Sequence, residues 1–315
     1  LFTEGLSAPP VRRYGGPIID AHTHTDNADE AQLLVRVAAD FGIKRLVGVA
    51  PLEAIPDLQR AFGDSYRAIV RTNQGLVSTP DRFTRENVHR VRAAAGLGAV
   101  GAKFWFAPRF FSESGWRLNH PALAPVFETL SELDLVALVH IADPDCFFEN
   151  QYADRLRYGT KADQYEPLEA VLAAFPRLKV QVAHFGGDPE HLDHVTRLLE
   201  KYPNLMIDSS ATKWMARELG RRPADSRAFI VRWADRLLFG SDLVVFGDAR
   251  AVDYASRYWA LRWLWEGEGE RPSPVPDPCA ADPAHPQVRG LALPDDVLAK
   301  LYTTNAQRWL GIETP

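Results

Sequence analysis

Short, dense apolar runs alternate along this chain with stretches in which apolar residues recur every three or four positions. The runs at 18–24, 44–50, 66–72, 99–106, 135–141, 179–184, 205–209 and 237–242 are short enough to be strands and apolar enough to be buried on both faces. Between them the spacing is helical. The first such stretch, 28–41, places Leu33, Leu34, Val37, Ala38 and Phe41 on one side and is closed by Gly42. Further helices are expected near 53–62, 81–95, 121–133, 165–175, 189–202, 212–233 and 249–265. Eight strands alternating with eight helices predict an α/β fold, the (β/α)8 TIM barrel. An open doubly wound sheet would call for a glycine-rich phosphate turn after an early strand, and none follows here. A Pro/Gly/Arg-rich stretch, 1–16, reads as an N-terminal arm. The segment 266–294 reads as a surface loop, and 294–310 as a C-terminal helical extension. The expectation is one domain over 1–315, with its core at about 18–310.

In a barrel of parallel strands the chemistry gathers at the strands' carboxyl ends. The first strand ends in Asp20-Ala21-His22-Thr23-His24. Strand side chains alternate faces, so His22 and His24 point the same way, with Asp20 one step deeper on that face. Two imidazoles at one strand end suit a divalent metal, which takes neutral nitrogen donors at about 2.0–2.1 Å. The fourth run carries Lys103, the fifth ends in His140, the sixth in His184 and the eighth in Asp242. A single buried histidine is most simply a hydrogen-bonded core residue. Four histidines and an aspartate at corresponding strand ends predict one shared metal site.

Composition narrows the setting. With 46% hydrophobic and 24% charged residues the chain has the make-up of a globular enzyme, and a net charge of −5 without a Lys/Arg-rich run gives no footprint for nucleic acid. No apolar stretch approaches the roughly 20 residues needed to span a bilayer, so no membrane partner is expected. The sequence opens at Leu1 without a basic-then-apolar leader, and its two cysteines, Cys146 and Cys279, form no CxxC motif. A reducing, cytoplasmic location and an inert Cys146 are the corresponding expectations.

Taken as a set, the Asp20–His24 opening, His140, His184, Phe239-Gly240-Ser241-Asp242 and the closing Tyr302-Thr303-Thr304-Asn305-Ala306-Gln307-Arg308-Trp309-Leu310 resemble the amidohydrolase superfamily. More narrowly they resemble its amidohydrolase-2 branch, which also holds related decarboxylases. The resemblance implies that His22, His24, His140 and Asp242 ligate a divalent metal, Zn2+ by expectation, with one ion favoured over two. It gives His184 as a second-metal ligand or an acid/base beside the metal. Lys103 matches a lysine that some members carboxylate to bridge two metals; the single-ion reading leaves it to hold a substrate carboxylate or an acid. It also implies a homodimer, for which the aromatic loops are the one candidate surface.

The activity expected is hydrolysis of a C–N or C–O bond (amide, lactone or ester) in a small, acidic molecule. A metal-activated water attacks, Asp242 carries the proton, and His184 stabilises the oxyanion or shares the transfer. The alternative on the same residues is non-oxidative decarboxylation of a small carboxylic acid. A barrel that binds without turnover is the third reading, which an intact ligand set opposes. Asp20 is expected either to orient a ligand imidazole or to make local hydrogen bonds. Trp105, in an aromatic-rich loop, and Arg155 and Arg157, in the long segment 142–164, are the remaining candidate substrate contacts alongside Lys103. Solvent-facing charge is the alternative for the arginines. The stripe Trp259, Trp263, Trp265 has helical spacing and reads as core or interface.

Overall fold

The structure, a computed structural model, describes residues 6–313. Nine strands form one sheet: β1 (Ile18–His24), β2 (Ile43–Ala50), β3 (Tyr66–Arg71), β4 (Gly101–Trp105), β5 (Val136–His140), β6 (Lys179–Val182), β7 (Leu205–Asp208), β8 (Leu237–Leu238) and β9 (Leu243–Val244). Their order is β8-β7-β6-β5-β4-β3-β2-β1-β9, with helices in the crossovers, which is the (β/α)8 arrangement read from the sequence. By Cα proximity the chain divides into two compact units. One takes the described part of Leu1–Gly48 with Asp57–Tyr66 and Asp208–Pro315; the other takes Val49–Pro56 and Arg67–Ile207.

In the first unit the eighth strand departs from expectation. The run 237–242 is broken after Leu238, Asp242 adopts φ 58°, and pairing resumes in β9, where Thr23 lies opposite Leu243 and His24 opposite Val244. Backbone bonds from Ala21 N to Phe239 O (2.8 Å) and from Asp242 N to His22 O (2.8 Å) hold the break against β1. Gly240 permits that approach, because a Cβ there would lie 3.0 Å from His22 Cβ and 3.2 Å from Ser210 Cβ. The helix Ala28–Asp40 starts at Asn27, whose side chain accepts from Glu30 N, and buries Ala31, Leu34, Val37 and Ala38. In the helix Ala251–Glu266 all three tryptophans of the stripe are buried, so the core reading holds for Trp259, Trp263 and Trp265.

The C-terminal extension is helical over Asp295–Ala299, Lys300–Thr304 and Asn305–Leu310, the middle piece being a π-helical turn. The N-terminal arm is tied to it. Arg13 N and Tyr14 N both donate to Glu266 Oε2 (2.9 and 3.2 Å), and Tyr14 OH lies 3.1 Å from Thr303 Oγ1. Glu266 also accepts from Tyr302 OH (2.8 Å) and from Arg262. The segment read as a surface loop contains an antiparallel hairpin, β10 (Glu268–Pro272) with β11 (Gln287–Leu291).

In the second unit β3 to β7 run parallel with regular register: Ile69 beside Gly101, Gly101 beside Val136, Val136 beside Lys179 and Val180 beside Leu205. The same register sets Trp105 beside His140 at the strand ends. The long segment after β5 is partly helical, over Asp145–Glu149 and Arg155–Tyr158. Neither Cys146 nor Cys279 is a free thiol, so the cysteines give no support to the reducing location expected from their number. No helix among the described residues is long and apolar enough to cross a membrane.

Candidate metal centre

Period-two alternation puts Asp20, His22 and His24 on one face of β1, as expected, but the three do different things. Asp20 is fully buried and touches no imidazole. Its carboxylate accepts from His22 N (3.2 Å), Ser241 N (3.0 Å), Ser241 Oγ (2.6 Å) and Tyr258 OH (2.9 Å), so it fastens the break in the eighth strand from which Asp242 projects. Burial pushes its pKa up to about 7 against the pull of those four donors. Of the two roles read for Asp20, the local hydrogen-bonding one is observed.

His22 and His24 converge on Asp242. His22 Nε2 lies 3.4 Å, and His24 Nε2 3.2 Å, from Asp242 Oδ1, with the ring centroids 5.3 Å apart. The other nitrogen of His22, Nδ1, is 3.0 Å from Asp208 Oδ2 and 3.1 Å from Ser210 Oγ. An ionised carboxylate only accepts, so Nδ1 carries a proton, and in the neutral imidazole Nε2 presents its lone pair to Asp242. Ser210 Oγ in turn donates to Asp208 Oδ1, which fixes the carboxylate.

Lone pairs of a neutral imidazole and of a carboxylate facing each other at 3.4 Å repel unless a cation lies between them. The three ligand atoms suit one. Donors bonded at about 2.0–2.1 Å in a tetrahedral shell stand about 3.3–3.4 Å apart, and those of His22 and His24 stand 3.4 and 3.2 Å from that of Asp242. Asp208 and Ser210 then supply the orienting partner that ligand histidines require. Asp208 was not among the residues picked from the sequence, although it closes Leu205-Met206-Ile207 as His140 closes its own apolar run; reading the strand one residue longer hid it.

The second unit carries the other two histidines. His140 Nε2–H donates to Asp143 Oδ1 (2.9 Å), and Tyr152 OH donates to Asp143 Oδ2 (2.8 Å). Burial works to raise the Asp143 carboxyl, but His140, its charge and hydrogen bond together, brings it below the ordinary range. His140 and His184 pack edge to face with centroids 4.9 Å apart. His184 and Phe185 both take positive φ (60° and 55°), followed by Gly186 and Gly187 in the same region. Gly187 is required there, since a Cβ would stand 2.0 Å from Ala142 O. That tight turn brings the end of β6 against the end of β5 and so sets His184 beside His140. Trp105 joins them, 6.3 Å from His140 between centroids.

The remaining candidates are spread out. Lys103 is buried in β4, whereas Arg155 and Arg157 are exposed on their short helix, Arg157 stacking over Tyr158. The aromatic loop after β4 packs largely on itself: Phe106 lies against Phe110 (4.9 Å) and Trp116 is stacked on His120 (3.6 Å).

A parallel sheet with histidines and aspartates gathered at its strand ends defines an α/β class with a candidate metal site, and the sequence makes the assignment narrower. The amidohydrolase family model matches residues 19–312, and the chain belongs to that family. No curated protein matches it by sequence. Among solved structures it is similar to 5-carboxyvanillate decarboxylase from Novosphingobium aromaticivorans complexed with manganese (14% identity, TM-score 0.56, covering 98% of this chain and 100% of that one). It is also similar to 4-oxalomesaconate hydratase from Rhodopseudomonas palustris (16%, 0.55, 93% and 95%). A third is dihydroorotase from Campylobacter jejuni (13%, 0.51, 94% and 84%).

Proposed function

We propose that this member of the amidohydrolase family is a metal-dependent hydrolase that cleaves an amide, lactone or ester bond in a small acidic molecule. The observation that carries the reading is the convergence of His22 Nε2 and His24 Nε2 on Asp242 Oδ1, with Asp208 holding the proton on the far side of His22. In the proposal these three residues ligate one ion, Zn2+ by preference, and His140 is the further ligand that the family resemblance assigns. When bound, the ion supplies Lewis acidity that lowers the pKa of a water and polarises a carbonyl.

The chain's own residues then divide the remaining work. Asp242 receives the proton of the attacking water at its carboxylate and returns it to the leaving group. His184 stabilises the oxyanion by hydrogen bonding. Lys103 and Trp105 are proposed to contact substrate, with Arg155 and Arg157 as outer cations. Decarboxylation is the second reading, favoured by the similarity to 5-carboxyvanillate decarboxylase.

The deciding experiment incubates the metal-loaded protein with panels of lactones, amides, esters and aromatic or unsaturated carboxylic acids, following acid release and CO2 separately. Acid release lost in Asp242→Ala supports the hydrolase. CO2 without net hydrolysis replaces it with the lyase, and no turnover alongside no metal uptake overturns both.

A further inference from the structure

The helix Thr212–Arg221 and the segment 273–289 enclose a cavity of about 220 Å³ that belongs wholly to the first unit. Its lining is rich in donors: Thr212, Lys213, Arg217, Arg221, Gln287 and Arg289. Two of them are deeply buried and incompletely used. Arg217, with its side chain 6% exposed, bonds Asp277 through Nη1 (2.7 Å to Oδ1) and Glu218 through Nε, yet Nη2 has no hydrogen-bond partner among the described residues. Thr212, 3% exposed, likewise leaves Oγ1 without a partner.

The two carboxylates that line the same cavity are already engaged. Asp277 takes Arg217 and Cys279 N (3.0 Å); Asp282 takes Ala284 N and His285, whose Nδ1 stands 3.0 Å from Oδ2. The helix also starts without a side-chain cap, at Ala211 (φ 65°), whose carbonyl accepts from Trp214 N (2.9 Å) and Met215 N (3.2 Å). Buried donors without acceptors are costly, at about 1–3 kcal/mol each. What relieves that cost is a ligand bearing oxygen acceptors and a negative charge.

We propose that this cavity is a binding site for a small carboxylate, whose oxygens accept from Arg217 Nη2 and Thr212 Oγ1. The charge balance selects a carboxylate over a phosphate. Arg217 is already matched by the carboxylates of Asp277 and Glu218, so a dianion would meet them with too little positive charge to compensate. The volume admits a short-chain monocarboxylate. This site does not depend on the proposed metal chemistry, although Thr212 follows Ser210, the partner of His22 Nδ1, by only two residues.

Calorimetric titration of the full-length protein, as purified, with sodium propionate, sodium acetate and inorganic phosphate tests the proposal. The variants are Thr212→Val, which removes the hydroxyl at constant shape; Ala280→Phe, which fills the cavity from its loop side; and His24→Ala, which disables the metal centre. Saturable binding of propionate or acetate, weakened about tenfold in Thr212→Val, abolished in Ala280→Phe and retained in His24→Ala, is the expected result. Binding lost in His24→Ala but kept in Ala280→Phe would place the carboxylate on the metal and overturn the site. So would the absence of saturable binding, an unchanged affinity in Thr212→Val, or saturation by phosphate alone.

Discussion

Asp208 Oδ2 sits 3.0 Å from His22 Nδ1, and both side chains are fully buried. The pair decides which nitrogen of His22 is left to face Asp242, and so whether the three-residue cluster has a lone pair to offer. Asp208→Ala is expected to lower metal affinity about 10- to 100-fold, the usual cost of losing a ligand histidine's orienting partner. Competition for Zn2+ against a chelating dye checks it, with circular dichroism confirming that the variant is folded. An affinity equal to wild type would mean that Asp208 does not orient the ligand.

The ligand atoms themselves make a sharper comparison. His22→Ala, His24→Ala and Asp242→Ala should each reduce bound metal well below one ion per chain by elemental mass spectrometry, and His140→Ala should do the same if it completes the set. A count near two ions in the wild type would instead bring in Lys103 and His184, with Lys103 carboxylated.

Asp20 predicts a loss of stability rather than of a ligand. Asp20→Ala strands the Ser241 hydroxyl, the Ser241 N–H and the Tyr258 hydroxyl in a buried site, and a destabilisation of about 3 kcal/mol or more is expected in chemical denaturation. If the variant matches wild type in denaturant midpoint and slope, water has replaced the carboxylate and the break in the eighth strand is held by other bonds.

A pH effect is expected away from the metal centre. Lys161 Nζ lies 2.8 Å from Asp145, 2.8 Å from Asp188 and 3.4 Å from Glu190, while His191 faces Asp145 and His194 faces Asp188. Burial works to raise the Asp145 carboxyl, but Lys161 and His191 hold it below its ordinary value. A carboxyl lowered on folding contributes stability that is present above its unfolded pKa of about 3.9 and is lost as pH falls through the lower folded value. Lys161→Met removes that support and should move the midpoint of acid unfolding to higher pH, as followed by tryptophan fluorescence. A midpoint unchanged or lower would show that the lysine does not stabilise the ionised cluster.

The order of strands, the class of fold and the His22/His24 pair were legible because buried parallel strands write themselves as apolar runs with the polar residue at the end. Three features were hidden for physical reasons. The eighth strand looked continuous because the apolar Leu237-Leu238-Phe239 leads without a turn signal other than Gly240 into the polar Asp242, the same apolar-then-polar form as the other strand ends, and only the lack of room for a Cβ at Gly240 against His22 and the positive φ of Asp242 reveal the bend. The hairpin Glu268–Leu291 was hidden because β10 is exposed along its whole length and so shows no alternation of apolar and polar residues. Asp143 stood among other charges of the segment after β5, and its pairing with His140 depends on a turn that sequence spacing does not disclose.

The buried carboxylate of Glu266 joins segments from opposite ends of the chain: it receives the backbone of Arg13 and Tyr14, the hydroxyl of Tyr302 and the guanidinium of Arg262. Peeling away the arm therefore means baring an anion that the last helices also depend on. In hydrogen-exchange terms residues 13–14 and 302–303 should open as one unit and at one rate, so that fraying at the start of the chain is reported at its end.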